Sequence, residues 1–282
     1  MPSPDLTDES KSVEELAAAR AELERKTTEE LFAATLEGED DDAAPWEVVS
    51  VLRLRGTPEV FELAKRYCRS LNPKARLRGL GVLAQLGAGK PTAERPFMDE
   101  SVSIAIGHVE DPDPAVVSAA AWALSHLRTD PAITALIGLR SHPDPEVREA
   151  IAFCSELRAR PEAGPILIAL MDDENEDVRN WATFSVGNWE LEDAGVWRYV
   201  DSPEIRAALR GRLEDTYEDA RREAIWGLAV RKDPDGLKLL LEHLEAESWW
   251  IGDEDAAART LEMKWDSPVE DLRAGLRRLL AL

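Results

Sequence analysis

The residues of this chain that could do chemistry are few and scattered. His108, His126, His142 and His243 fall in four separate segments. No two of them have the i, i+4 spacing that puts a pair of imidazoles on one helical face for a metal. Cys68 and Cys154 are far apart inside helical patterns, so both are expected as reduced core residues. The acidic run EDDDAAP at 39–45 lacks the alternating ligands and the glycine of a calcium loop. GAGK at 87–90 lacks the second glycine spacing, the Ser or Thr and the preceding strand of a phosphate loop. No Ser/His/Asp or Cys/His set can be assembled. The reading is therefore a protein with no catalytic residue, metal ligand or cofactor.

One pattern stands above that background. Trp122, Phe153, Phe184 and Trp226 each lie six residues after a Val-type position, at Val116, Val147, Val178 and Ala220. Trp181 joins the row. The residues four before each aromatic, Ser118, Glu149, Asn180 and Arg222, are mostly polar. Aromatics beside polar groups suit a binding surface, so the row is a candidate protein-binding site. Rings buried between neighbouring helices would give the same pattern, and spacing alone leaves both open. A stretch at 189–202 places Trp189, Trp197 and Tyr199 near one edge of the row.

The elements that must carry these residues form a repeat. DPAVVSAAAWALSHL from Asp113, DPEVREAIAFCSEL from Asp144, NEDVRNWATFSVG from Asn175 and YEDARREAIWGLAV from Tyr217 are copies of one helix. Looser copies begin at Asn72 and near Asp41. Val116, Val147 and Val178 are 31 residues apart, a period in the range of helical arrays. The outer copies are displaced by two insertions of about ten residues, at 87–96 and 189–202. Val178, Ala182, Ser185, Val186 and Trp189 recur at intervals of three and four, one buried stripe. Asp-Pro before the stripe reads as an N-cap followed by a first-turn proline. Arg76, Arg148, Arg179 and Arg221 share one position, and stacking would bring each near an acidic cap of an adjacent unit as a structural ladder.

The pattern D-P-x-V-R-x-x-A-x-x-A-L resembles the HEAT-repeat family, in particular its short bacterial, bilin-lyase-like branch. The runs VLRLRG (51–56), VRNWATF (178–184) and EAIWGLAVRKD (223–233) are similar to the YibA-like bacterial HEAT proteins. The resemblance covers roughly residues 28–282. It implies an all-α fold: a right-handed α-α superhelix of about seven helix pairs with a capping helix at each end, the V-R helix lining the concave side. Residues 12–282 are then one domain behind a disordered acidic tail at 1–11. The HEAT-fold hydroxylases hold iron through His-Glu pairs early in the inner helix. Here those positions read Ser118-Ala119, Glu149-Ala150, Asn180-Trp181 and Arg222-Glu223, which removes that enzyme. The resemblance also implies two narrower functions, an immunity protein that neutralises a polymorphic (Rhs-type) toxin and a bilin lyase. The absence of a ligand cluster speaks against the lyase.

Charge narrows the partner class. The 282 residues carry 34 basic and 56 acidic side chains, for a net charge of −22. Acid is spread over the body as well as residues 1–42, which opposes a phosphate-backbone binder and permits a basic protein partner. No apolar run approaches a membrane span, and MPSPDLTDESKSVEE has no apolar core of a signal peptide. The expectation is a cytoplasmic, monomeric, non-catalytic protein-interaction scaffold.

Overall fold

The structure, a computed structural model, describes residues 13–38, 43–91, 94–160, 163–193, 196–246 and 250–281. The tail expected at 1–11 and the aspartates at 40–42 lie outside these residues. The chain divides into two compact units, Met1–Cys154 and Ser155–Leu282.

In the first unit, helix α1 (Val13–Arg25) precedes four helix pairs. They are α2 (Thr28–Ala34) with α3 (Ala43–Arg55), α4 (Pro58–Cys68) with α5 (Pro73–Ala84), α6 (Met98–Ile106) with α7 (Pro114–Leu127), and α8 (Asp130–Gly138) with α9 (Pro145–Phe153). The second helices pack in sequence, α3 on α5, α5 on α7 and α7 on α9. The second unit opens with a 3-10 turn at Ser155–Ala159. Its pairs are α10 (Ala163–Leu170) with α11 (Glu176–Gly187), α12 (Pro203–Gly211) with α13 (Glu218–Val230), and α14 (Pro234–Glu245) with α15 (Ile251–Leu261). Here α11 packs on α13 and α13 on α15, and α16 (Val269–Leu280) closes the unit against α14 and α15. Every helix pair expected from the repeat is present.

Local chemistry explains the boundaries. Asp113, Asp144, Asn175 and Asn72 each accept a backbone N–H of the first helical turn, and a proline follows all but Asn175. Val178, Ala182, Ser185 and Val186 are buried as one stripe, and Ala150, Ala182 and Ala224 are fully buried. Small side chains let α11 and α13 cross closely at Gly187 and Gly227, where a Cβ on Gly227 would come within 2.7 Å of the Gly187 Cα.

The shared arginine position is a latch. Nη1 of Arg76, Arg148 and Arg179 donates to the carbonyls six and five residues upstream. Arg221 repeats the six-residue bond to Asp215. These carbonyls belong to the turn before the arginine's own helix, so one guanidinium satisfies groups that the turn leaves unpaired. The rest of the guanidinium reaches forward. Arg76 grips Asp111 at 2.9 and 2.7 Å, and Arg179 grips Asp215 at 2.8 and 2.9 Å, both bidentate. Each aspartate also accepts the backbone N–H of its own helix cap, from Asp113 and Tyr217. The pairing holds Asp215 below its ordinary value, the Arg179 hydrogen bonds being the main cause.

The insertion at 189–202 departs from the helical expectation. Glu190–Asp193 (β1) and Val196–Tyr199 (β2) pair antiparallel, Glu190 opposite Tyr199 and Glu192 opposite Trp197. Alternating Glu, Leu, Glu against Val, Trp, Arg, Tyr suits a short ribbon, and four residues a strand is too few to show clearly against a helical background.

Candidate functional site

The aromatic row is split between the two units and differs in each. In the first, Trp122 on α7 is 7% exposed. Its ring lies 5.2 Å from that of Phe153 on α9, and His126 lies edge-on to Phe153 at 5.4 Å. Trp122 is a core residue there and offers no open face. Gln85 meets His126 Nδ1 at 3.0 Å. Burial pushes His126 down to about 4, and Arg53, Arg128 and Arg95 add to the effect. Arg53 is half-buried, donating to the Gly81 carbonyl at 2.8 Å, and desolvation lowers it to about 10. Arg78 is fully buried, donating to the Thr35 carbonyl with its guanidinium 4.7 Å above the Trp46 ring. The atoms left without a hydrogen-bond partner near this cluster are donors: Arg53 Nη2, Arg95 Nε and Trp122 Nε1.

In the second unit the row is open. Trp181 and Phe184 on α11 meet edge-to-face at 5.7 Å, and Phe184 is 38% exposed. Trp226 on α13 is half-buried, with its Nε1–H donating to Asp253 on α15 at 2.8 Å. Asp253 also accepts the Trp250 backbone N–H and faces His243 Nδ1 at 3.3 Å. Burial pushes Asp253 up, but these hydrogen bonds outweigh it and leave the group below its ordinary value. Gly252 permits this packing, since a Cβ there would fall 2.4 Å from the Trp226 ring. Outside it Trp250 stands 55% exposed, with the Arg222 guanidinium 4.2 Å over its ring.

A cavity of about 130 Å³ opens beside Trp226, lined by Phe184, Asn188, Glu223, Trp226, Asp255 and Arg259 among others. Glu223 is the unusual group. Burial, with Asp219 as a lesser cause, pushes it up to about 8 against a hydrogen bond from Asn188. Its Oε2 is buried with no hydrogen-bond partner, and Asn180 Oδ1 on α11 is likewise unpartnered.

At the insertion edge the two described rings, Trp189 and Tyr199, have separate settings. Trp189 is buried, its Nε1–H donating to the Arg158 carbonyl and its ring 3.2 Å from where a Cβ on Gly164 would sit. It closes the stripe of α11 and offers no ring at the edge. The Trp197 side chain lies outside the described residues. Tyr199 is half-buried over Arg231, 5.5 Å from guanidinium to ring, and burial raises it above its ordinary value. Sequence reasoning passed over Arg231, which is buried and donates to the carbonyls of Val200, Gly187, Gly227 and Val186 at 2.6–2.9 Å. It fastens the insertion to α11 and α13. Nothing in RKD at 231–233 signals this, because the acceptors come from two distant segments.

Among the described residues, no group of three or more His, Cys, Asp or Glu is placed to hold a metal ion. Both cysteines are free and buried, and among the described residues no helix is long and apolar enough to cross a membrane.

A family model for HEAT repeats matches residues 69–152, the stretch from α5 to α9. Protein YibA of Escherichia coli K12 is 30% identical over 208 residues, 69% of this chain and 67% of YibA. The chain belongs to the HEAT-repeat family. The X-ray structure of E. coli YibA superposes on this HEAT protein with a TM-score of 0.70 at 24% identity, covering 96% of this chain and 98% of that one. A chain of the S. pombe condensin Cnd3–Cnd2 subcomplex gives 0.55 at 16% identity, covering 88% of this chain and 32% of that one. A chain of a Kap95p–RanGDP structure gives 0.56 at 13% identity, covering 93% and 36%. These likenesses show a helical-repeat fold.

Proposed function

We propose that this HEAT protein is a non-catalytic scaffold that binds a basic protein partner on the α11–α13–α15 layer of its second unit. The observation that carries the reading is the aromatic pair Trp181–Phe184, with Phe184 38% exposed beside half-buried Trp181 and Trp226. Exposed rings on rigid helices lose little conformational entropy on binding and make strong anchors. The net charge of −22 favours a basic partner through long-range steering. Among the structural neighbours, Kap95p binds RanGDP, and the condensin chain comes from a two-protein subcomplex. Free buried cysteines suit a reducing compartment such as the cytoplasm.

The test is affinity capture from the native host with the wild-type chain and a W181A/F184A variant. The expected result is a protein, identified by mass spectrometry, that the variant no longer retains while its thermal melt stays close to wild type. Equal capture by both chains would remove this face. A narrower reading, neutralisation of a basic toxin by charge mimicry, draws on the acidity of the body alone. Co-expression that fails to rescue cells from a toxin encoded beside this gene would end it. With a partner in hand, its association rate should drop as the screening length shrinks from about 8 Å at 0.15 M salt to about 3 Å at 1 M. A flat rate would leave the charge a solubility role only.

A further inference from the structure

One arginine of the latch series leaves its outward half unused. Arg76 and Arg179 are anchored through Nη1 on carbonyls of their own turn, and their Nε and Nη2 reach the next turn, where Asp111 and Asp215 accept from both. Each aspartate stands two residues ahead of a helix cap, Asp113 or Tyr217. Arg221 on α13 is anchored in the same way, with Nη1 on the Asp215 carbonyl. Among the described residues its Nε and Nη2 have no hydrogen-bond or ion-pair partner, and neither nitrogen is closed off from water. The helix that packs next on α13 is α15, capped by Trp250, and the residue two ahead of that cap is Ser248. The carboxylates around Arg221 are committed elsewhere. Asp215 is held by Arg179 and Arg212, and Glu218 and Asp219 pair with Arg222.

We infer that Arg221 is a docking point for an aspartate of a protein partner, whose carboxylate takes Nε and Nη2 side by side as Asp111 and Asp215 do in the filled latches. The site lies on the turn edge of α13 and does not depend on the aromatic face proposed above. The guanidinium is already held by one bond to its own turn, so little side-chain freedom is lost when an anion arrives. A carboxylate matches the two parallel N–H groups. Its single charge also meets less repulsion from Glu218, Asp219 and the net charge of −22 than a doubly charged phosphate would. Beside the N-terminal end of α13, Trp250 is 55% exposed under the Arg222 guanidinium, and Ile251 is 82% exposed. Arginine and tryptophan are the groups that most often anchor protein contacts, so the aspartate belongs to a segment that also carries an apolar side chain.

The experiment follows the Arg221 Nε–H resonance of the full chain as N-acetyl-aspartyl-leucine amide is added, with N-acetyl-asparaginyl-leucine amide and acetate as controls. The expected result is saturable binding of the aspartyl probe, with both controls weaker by about tenfold or more. R221K keeps the charge but loses the paired N–H groups, and should weaken the aspartyl probe by a similar factor. S248D supplies an aspartate at the position that Asp111 and Asp215 occupy in their turns, so it should raise the melting temperature and exclude the probe. Equal binding of the asparaginyl probe, undiminished binding by R221K, or wild-type binding by S248D would each overturn the assignment. Acetate that binds as well as the aspartyl probe would overturn it too, leaving an adventitious ion only. The comparison of probes on the wild-type chain needs no variant, so a folding defect in R221K or S248D leaves the test intact. W181A/F184A should bind the aspartyl probe as the wild type does, and loss of the probe there would end the claim of a separate site.

Discussion

The same helical position carries an aromatic in both units, yet the two units treat it in opposite ways. At Trp122 the ring is sealed under Phe153 and His126, in a cluster whose unpartnered atoms are donors on Arg53, Arg95 and Trp122. At Phe184 and Trp226 the rings border a cavity, and the unpartnered atoms on the same two helices are buried oxygens of Asn180 and Glu223. What differs is the packing around the position. Two neighbouring aromatics close over Trp122, whereas Gly252 brings bare backbone tightly against Trp226, whose ring also borders the cavity. Repeat phase sets the direction of a side chain; the residues of adjacent helices decide whether it becomes core or surface.

The largest test of that contrast is Trp122→Ala. Removing a buried tryptophan should cost about 3–5 kcal/mol in urea unfolding. A loss no larger than that of Phe184→Ala would break the comparison.

Arg179→Met comes next. It leaves Asp215 buried beside Arg212 without its bidentate partner, and should cost about 2–4 kcal/mol. Arg76→Met should behave alike in the first unit, since Asp111 is gripped in the same way. A large effect in one unit and none in the other would mean that the latch is not a shared device.

The pH response separates the units by sign. His126 titrates near 4 when folded and near 6.5 unfolded, so the first unit should lose stability as pH falls between those values. The loss is on the order of 2–3 kcal/mol. His126→Gln should flatten that acid limb in melts recorded across pH. Glu223 is raised to about 8 from 4.5, so its contribution is present below 4.5 and is lost as pH rises toward 8. E223Q should remove that alkaline slope, and slopes of equal sign in the two units would contradict the donor–acceptor contrast.

The smallest expected effect is Phe184→Ala, below about 1 kcal/mol, because a partly exposed ring forfeits little on truncation. A loss near that of Trp122→Ala would show the ring to be structural and would undo the proposed binding face.

The fold was legible because its signals are local. Asp113-Pro114 and Asp144-Pro145 mark helix starts, and Val178 with Ala182 and Val186 marks a buried face, each within a dozen residues. The ribbon at 190–199 was not, since two four-residue strands resemble any mixed polar loop. The candidate site was legible in position and not in exposure. Trp122 and Phe184 are equivalent by period, and only the tertiary neighbours distinguish them. Arg231 and Glu223 were missed for the same reason. A buried arginine among carbonyls and a buried carboxyl beside a cavity depend on segments that sequence spacing does not bring together.

The arginine latch has a consequence for how such a chain can change length. Arg76 and Asp111 stand 35 residues apart, Arg179 and Asp215 stand 36 apart, and the bond lengths nearly coincide. Arginine and aspartate therefore act as a standard key and lock at the two ends of a repeat. A unit that carries both can be duplicated, deleted or exchanged without redesigning its neighbours. Helix α7 has Val117 at the arginine position, and the turn ahead of α9 has His142 where those ahead of α7, α11 and α13 have aspartate. Key and lock are missing together at that joint. A repeat transplanted there from elsewhere in the chain would bring a charge with nothing to meet it, so this joint marks where the array stops being modular.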